Sequence, residues 1–119
     1  MRDRLSLTIL MLACLPGALP VRAQSAGNDA RVQELYTQAK AAQSRGDLPG
    51  AIANYEKILS IAPQLGPAYN NLGALYFRQH DYKKAAAVLE HGLKISPAMP
   101  SASALLGISL FEMSEYTKA

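Results

Sequence analysis

The chain repeats itself at an interval of 34 residues. Residues 32–65 and 66–99 agree at seven positions: Asp47/Asp81, Ala51/Ala85, Ala53/Ala87, Glu56/Glu90, Leu59/Leu93, Ile61/Ile95 and Pro63/Pro97. Residues 66–85 and 100–119 agree at seven more: Ala68/Ala102, Leu72/Leu106, Gly73/Gly107, Phe77/Phe111, Tyr82/Tyr116, Lys84/Lys118 and Ala85/Ala119. A constant interval of this size means that no unit buries its apolar face alone. Each covers the face of its neighbour, as in a solenoid. A stacked array of this kind is suited to holding a partner along its length rather than to enclosing a reaction.

Within each interval the signals are helical. Val32, Leu35, Ala39 and Ala42 fall at the spacing of one helix face, giving a first helix from about Ala30 to Ser44 that Asn28 or Asp29 can cap. Gly46 ends it, because glycine takes the left-handed conformation after a helix without strain. Asp47 caps a second helix, and Pro49 sits in its first turn, where a missing N–H costs nothing. Ala51, Ile52, Tyr55, Ile58 and Leu59 form its inner face, and it stops before Pro63. Gly66-Pro67 opens a third helix with Tyr69, Leu72, Gly73 and Tyr76 inward. Asp81 caps a fourth, which carries Ala85, Val88, Leu89 and Leu93 and stops before Pro97. Pro100 opens a fifth with Leu106, Gly107 and Leu110 inward, and Glu115 and Tyr116 begin a sixth. No segment alternates with the period of a strand, so the expected fold is all-α, an antiparallel helix-hairpin solenoid.

Residues 1–23 stand apart. Arg2 and Arg4 make a positive start, Leu5 to Leu15 is apolar, and Pro16-Gly17 and Pro20 interrupt any helix. Val21-Arg22-Ala23 places small or apolar residues where a signal peptidase reads, so the segment reads as a signal peptide cleaved between Ala23 and Gln24. As an uncleaved membrane anchor its apolar run is short and broken by proline. Cys14, the only cysteine, follows Met11-Leu12-Ala13, a weak lipidation context that offers a competing fate. Residues 24–31 read as a flexible lead-in. The formal charge of +3 belongs mostly to the leader: without it the chain has 9 basic and 8 acidic residues, which argues against a nucleic-acid surface. The expected location is the periplasm or cell envelope, with secretion as the alternative, and membrane association only through the leader if it is uncleaved or lipidated at Cys14.

The run Tyr69-x-x-Leu72-Gly73-x-x-Tyr76, followed by Asp81-Tyr82-x-x-Ala85-x-x-x-Leu89 and then Leu93 and Pro97, resembles the tetratricopeptide repeat. The resemblance divides the chain into repeats at 32–65 and 66–99 and a truncated third at 100–119. The first departs most, with Gln38, Ala39 and Ala42 where the middle one has Leu72, Gly73 and Tyr76. The small residues Gly73, Gly107, Ala51, Ala85 and Ala119 have a packing reason: they let helix backbones approach closely, while Leu72 and Tyr76 fill the space between.

The resemblance further implies a peptide or protein ligand in a concave groove lined by the first helix of each repeat. Carried over position by position, the groove comprises Tyr36, Lys40 and Gln43, then Asn70, Ala74, Phe77 and Arg78, then Ala104, Ile108, Phe111 and Glu112. Phe77 and Phe111, the only phenylalanines, share one repeat position. They are either peptide anchors or contacts to the following helix. Asn71 stands where family members use asparagine to bind a peptide backbone, but Thr37 and Leu105 take the equivalent places. Tyr36 stands where the first lysine of a carboxylate clamp belongs, which argues against a chaperone-tail receptor.

Nothing in the pattern implies catalysis, a metal or a cofactor. His80 takes the turn position of Gly46, His91 lies on the fourth helix, and no third ligand lies at metal spacing. Asp47 and Asp81 are accounted for by capping, and Lys83-Lys84 by a solvated helix start. The expected function is therefore a non-enzymatic scaffold that binds a protein or peptide. Two alternatives remain open: the N-terminal recruiting array of a larger enzyme, such as a glycosyltransferase or peptidase, and a self-assembly module acting through the exposed third repeat. The chain runs out at Ala119 inside a repeat, so it reads as the front piece of a longer array with an apolar end at Leu106, Leu110 and Phe111.

Overall fold

A computed structural model describes residues 21–118; the leader through Pro20, Cys14 within it, and Ala119 lie outside the described residues. Five helices follow one another: α1 Val21–Ser44, α2 Leu48–Ile61, α3 Gly66–Arg78, α4 Tyr82–Ile95 and α5 Pro100–Lys118. No strand occurs among the described residues. Each helix packs on the next in sequence, and α3 also touches α5, one repeat away. This is a helix-hairpin solenoid.

The two hairpin turns are built alike. Gly46 is left-handed, with φ 75°, and the Asp47 N–H reaches back to the carbonyl of Ala42 at 2.9 Å. His80 takes the same conformation, with φ 61°, and the Asp81 N–H reaches the carbonyl of Tyr76 at 2.9 Å. A side chain in this region costs about 1–2 kcal/mol. At His80 the ring meets that cost partly through a 2.8 Å hydrogen bond between Nδ1 and the Tyr82 hydroxyl. Each turn then hands the chain to a capped helix. The Asp47 carboxylate accepts from the Gly50 N–H at 2.9 Å, and that of Asp81 accepts from the Lys84 N–H at 3.2 Å.

Leu35, Ala39 and Ala42 of α1, Ala51, Ile52, Tyr55 and Ile58 of α2, and Ala68, Leu72 and Leu75 of α3 form one buried cluster. On α4, Ala85 and Leu89 are completely buried. α3 and α4 approach closely. A Cβ placed on Gly73 would come within 2.5 Å of Leu89 Cγ, and one on Gly92 within 2.5 Å of Tyr69 Cβ. Glycine is required at both points because the neighbouring side chain already occupies the volume.

Three expectations need correction. α1 begins at Val21, not near Ala30, so Asn28 and Asp29 lie inside the helix and the flexible lead-in over 24–31 is helical. Residues 25–31 are all exposed, so local backbone hydrogen bonds rather than packing hold that stretch. The sixth helix is absent among the described residues: α5 runs straight through Ser114, Glu115 and Tyr116. Ser114 stands where Gly46 and His80 turn, and only four described residues follow it, so no packing would offset a left-handed serine. Finally, Gly107 makes no close approach, and Leu110 is 46% exposed rather than inward. Nothing lies within 4 Å of a Cβ on Gly107, because no described helix stands over α5 as α4 stands over α3.

The two glycines therefore predict opposite outcomes for one substitution. Gly73→Ala must displace Leu89 and should cost about 1–3 kcal/mol. Gly107→Ala meets open space and should gain up to about 1 kcal/mol from helix propensity. Thermal unfolding in dilute solution checks both, and equal shifts in Tm would refute the close-packing assignment.

Candidate binding surface

On α1 the residues Tyr36, Lys40 and Gln43 recur at intervals of four and three, which places them on one face of the helix. Tyr36 is half-buried and held from several sides. Its ring meets the edge of Tyr55 with centroids 5.5 Å apart and planes at 88°. Lys40 Nζ lies 5.7 Å from the centre of the same ring. Its hydroxyl accepts a hydrogen bond from Asn71 Nδ2, which joins α1 to α3 across 35 residues of sequence. Gln43 Oε1 accepts from the Tyr55 hydroxyl at 3.4 Å, so the face is stitched to the core beneath it.

On α3, Asn70, Asn71, Ala74 and Phe77 are half-buried and Arg78 is exposed. The structure thus brings two of the sequence candidates, Tyr36 and Asn71, into direct contact. Asn71 already donates within the protein, so its amide presents less to a ligand than Asn70 does. Among the described residues, every ion pair lies elsewhere: Arg31–Glu34, Arg45–Asp47, Lys84–Asp81 and Lys118–Glu115. Lys40 and Arg78 therefore face solvent as cations without an acidic partner.

The phenylalanines part company. Phe77 is half-buried and packs against Tyr82 of its own repeat, with ring centroids 5.2 Å apart at 65°. Phe111 is 61% exposed and Ile108 48% exposed, while Glu112 is half-buried. Their shared repeat position does not give them a shared environment. In the second repeat the turn at His80 brings Tyr82 back over Phe77. In the third, α5 continues and carries Tyr116 towards Tyr82 instead, with centroids 6.0 Å apart. That continuation opens a shallow cleft of about 320 Å³ between Tyr82, Lys83, Met113 and Tyr116, which no sequence pattern indicated.

The phenols of Tyr55 and Tyr76 have altered acidity, and that of Tyr82 is also raised. Burial raises the Tyr55 phenol well above its ordinary value, with neighbouring Tyr36 adding to the effect. Tyr76 is pushed up to about 12, first by desolvation and then by the Glu56 carboxylate, to which its hydroxyl donates at 2.8 Å. Both phenols remain neutral hydrogen-bond donors rather than candidate bases. Ala51, Ala85 and Leu72 are buried and Tyr76 is half-buried, so this group packs and does not line the surface. Among the described residues no three His, Cys, Asp or Glu side chains gather into a metal-binding group, and no helix is long and apolar enough to cross a membrane.

Comparison with known proteins gives a consistent picture. The family profile of the tetratricopeptide repeat matches residues 31–98, more than half of the chain. Tetratricopeptide repeat protein 36 of Danio rerio is 33% identical over 66 residues, 56% of this chain and 35% of that protein. The BBSome complex member BBS4 homolog of Drosophila melanogaster is 27% identical over 77 residues, 65% of this chain and 16% of that protein. The chain thus spans about a third or less of the length of these curated relatives. Among solved structures, the C-terminal TPR-containing domain of an FK506-binding protein from Plasmodium falciparum superposes with a TM-score of 0.72 at 15% identity. That match covers 90% of this chain and 71% of that one.

Proposed function

The chain belongs to the tetratricopeptide repeat family, and from that premise we propose that it is a scaffold whose α1–α3 face holds an extended, acidic segment of a protein partner. The fold is that of an interaction module, and we assign it no catalytic step. The observation that carries the reading is the Tyr36–Asn71 bond that joins α1 to α3, with Lys40 on the first helix and Arg78 on the second exposed and without an acidic partner. The Tyr36–Asn71 bond ties the two helices together, so the cations are carried on a connected surface. Asn70 supplies an amide for a peptide backbone, and Gln43 and Ala74 complete the floor. Preorganisation matters because a face that is already ordered has less entropy of its own to lose in the complex.

The leader pattern supports export, and we place the scaffold in the cell envelope on that basis. N-terminal sequencing of the protein from its native source should begin at Gln24. A mature protein still beginning at Met1 would remove the assignment.

A peptide array sampling acidic, neutral and basic segments tests the binding role. The intact chain should retain acidic peptides preferentially, and less strongly as salt rises. Lys40→Glu combined with Arg78→Glu should weaken that binding about tenfold, which corresponds to about 1.4 kcal/mol. Unchanged binding by the double variant, or a preference for basic peptides, would overturn the proposed face.

A further inference from the structure

Tyr36 is the point at which the groups of the acidic-segment face meet. Its ring stands against the edge of Tyr55, itself completely buried, with centroids 5.5 Å apart and planes at 88°. One helical turn further along α1, Lys40 Nζ lies 5.7 Å from the centre of the Tyr36 ring, within the range of a cation–π contact. The Tyr36 hydroxyl accepts from Asn71 Nδ2 on the neighbouring repeat. One side chain, held against the core by its ring, thus engages both a cation and an amide of the face.

The junction that Tyr36 serves differs from the next one. Among the described residues no Cα of α1 lies within 8 Å of a Cα of α3, whereas α3 and α5 do come that close. α1 and α3 are therefore joined by side chains, and the Asn71–Tyr36 bond is the one hydrogen bond between them among the described residues. At the next junction the corresponding residues are Asn70 and Leu105, which cannot form this bond because the leucine side chain has no polar group. Ala74 and Ile108 stand where Lys40 does, so at that position the later repeats have no cation for a ring to hold. A lysine ammonium on its flexible stem loses rotamer freedom when a partner orders it, and a ring that orders it beforehand removes part of that cost.

Resting on the acidic-segment reading, we propose that Tyr36 is the positioning residue of that face: its ring holds the Lys40 ammonium and its hydroxyl holds the Asn71 amide, so both meet the partner in a fixed relation. It acts through those two groups and makes no contact of its own with the partner. The probe is a fluorescent poly-glutamate peptide, titrated with the intact chain over a salt series. The wild-type chain should bind it, and Lys40→Ala and Asn71→Ala should each weaken binding. Tyr36→Phe keeps a ring for the ammonium and loses the hydroxyl, so affinity should fall about threefold with the salt dependence unchanged. Tyr36→Leu loses both and should weaken binding about tenfold, with the salt dependence moving towards that of Lys40→Ala. In a chain carrying Lys40→Ala and Asn71→Ala, Tyr36→Leu should change affinity less than about twofold, because nothing is left to position. Should Tyr36→Leu fail to fold, Tyr36→Phe in the Asn71→Ala background carries the same test and should add no further loss. Proton NMR of the free chain reads the ring contact directly: the Lys40 Hε resonances should be shifted upfield by the ring current in wild type and Tyr36→Phe, and released in Tyr36→Leu. Absence of that shift, a Tyr36 effect that persists in those backgrounds, or binding that neither Tyr36 variant alters would overturn the positioning role while the acidic-segment reading stands. A wild-type chain that does not bind the peptide would overturn that reading and the positioning role with it.

Discussion

Where α3 crosses α4, the side chain of Leu89 takes the volume that a Cβ on Gly73 would need, at 2.5 Å. The second hairpin is arranged around that contact. It sets how closely the second hairpin closes, and so leaves room for Leu72 and Leu75 to be buried on the side facing α1 and α2. The link at His80 is short and uses a left-handed residue, as the link at Gly46 does in the first hairpin. The Asp81 cap then follows from where the chain re-enters helix.

The same nearest-neighbour logic explains why the two ends differ from the middle. Residues 25–31 extend beyond any neighbour and are exposed throughout. α5 is covered by α3 and α4 on one side only, so Ala102 and Ser109 are buried while Ile108, Leu110 and Phe111 stand out. Ser109 occupies the repeat position of Leu75. It is completely buried and satisfies its hydroxyl by donating to its own chain at the Leu105 carbonyl, 2.8 Å away. A polar residue in that place lowers the apolar contribution of the third repeat relative to the second.

Much of this was legible in the sequence because the signals are local and repeated. Asp47, Pro49 and Gly46 mark one turn and helix start, Asp81 and Pro97 mark the next, and the structure places the helix ends there. What escaped depends on neighbours. Gly107 matches Gly73 in type and period, but a glycine is a close-contact glycine only if another helix is present to make the contact. Phe111 repeats Phe77, yet its surroundings depend on whether the chain turns at Ser114, which the repeat pattern alone does not determine. The start of α1 was hidden because Gly27, Asn28 and Asp29 are weak helix formers with no apolar face. The hydrogen bond from Asn71 to Tyr36 joins residues 35 apart and has no signature in either residue's local sequence.

A protein built this way presents two surfaces with separate origins. The face across α1 and α3 is tied to the core through Tyr36, Tyr55 and Asn71, so it inherits the rigidity of the hairpins. α5 carries Ile108, Leu110 and Phe111 exposed at the other end of the array. Native-state hydrogen exchange in dilute solution tests most directly whether the α3–α4 contact governs this hierarchy. Amides around Leu75 and Leu89 should exchange most slowly, those of α5 beyond Ser109 faster, and those of residues 25–31 fastest. Protection in α5 equal to that in α3, or slow exchange across residues 25–31, would contradict it.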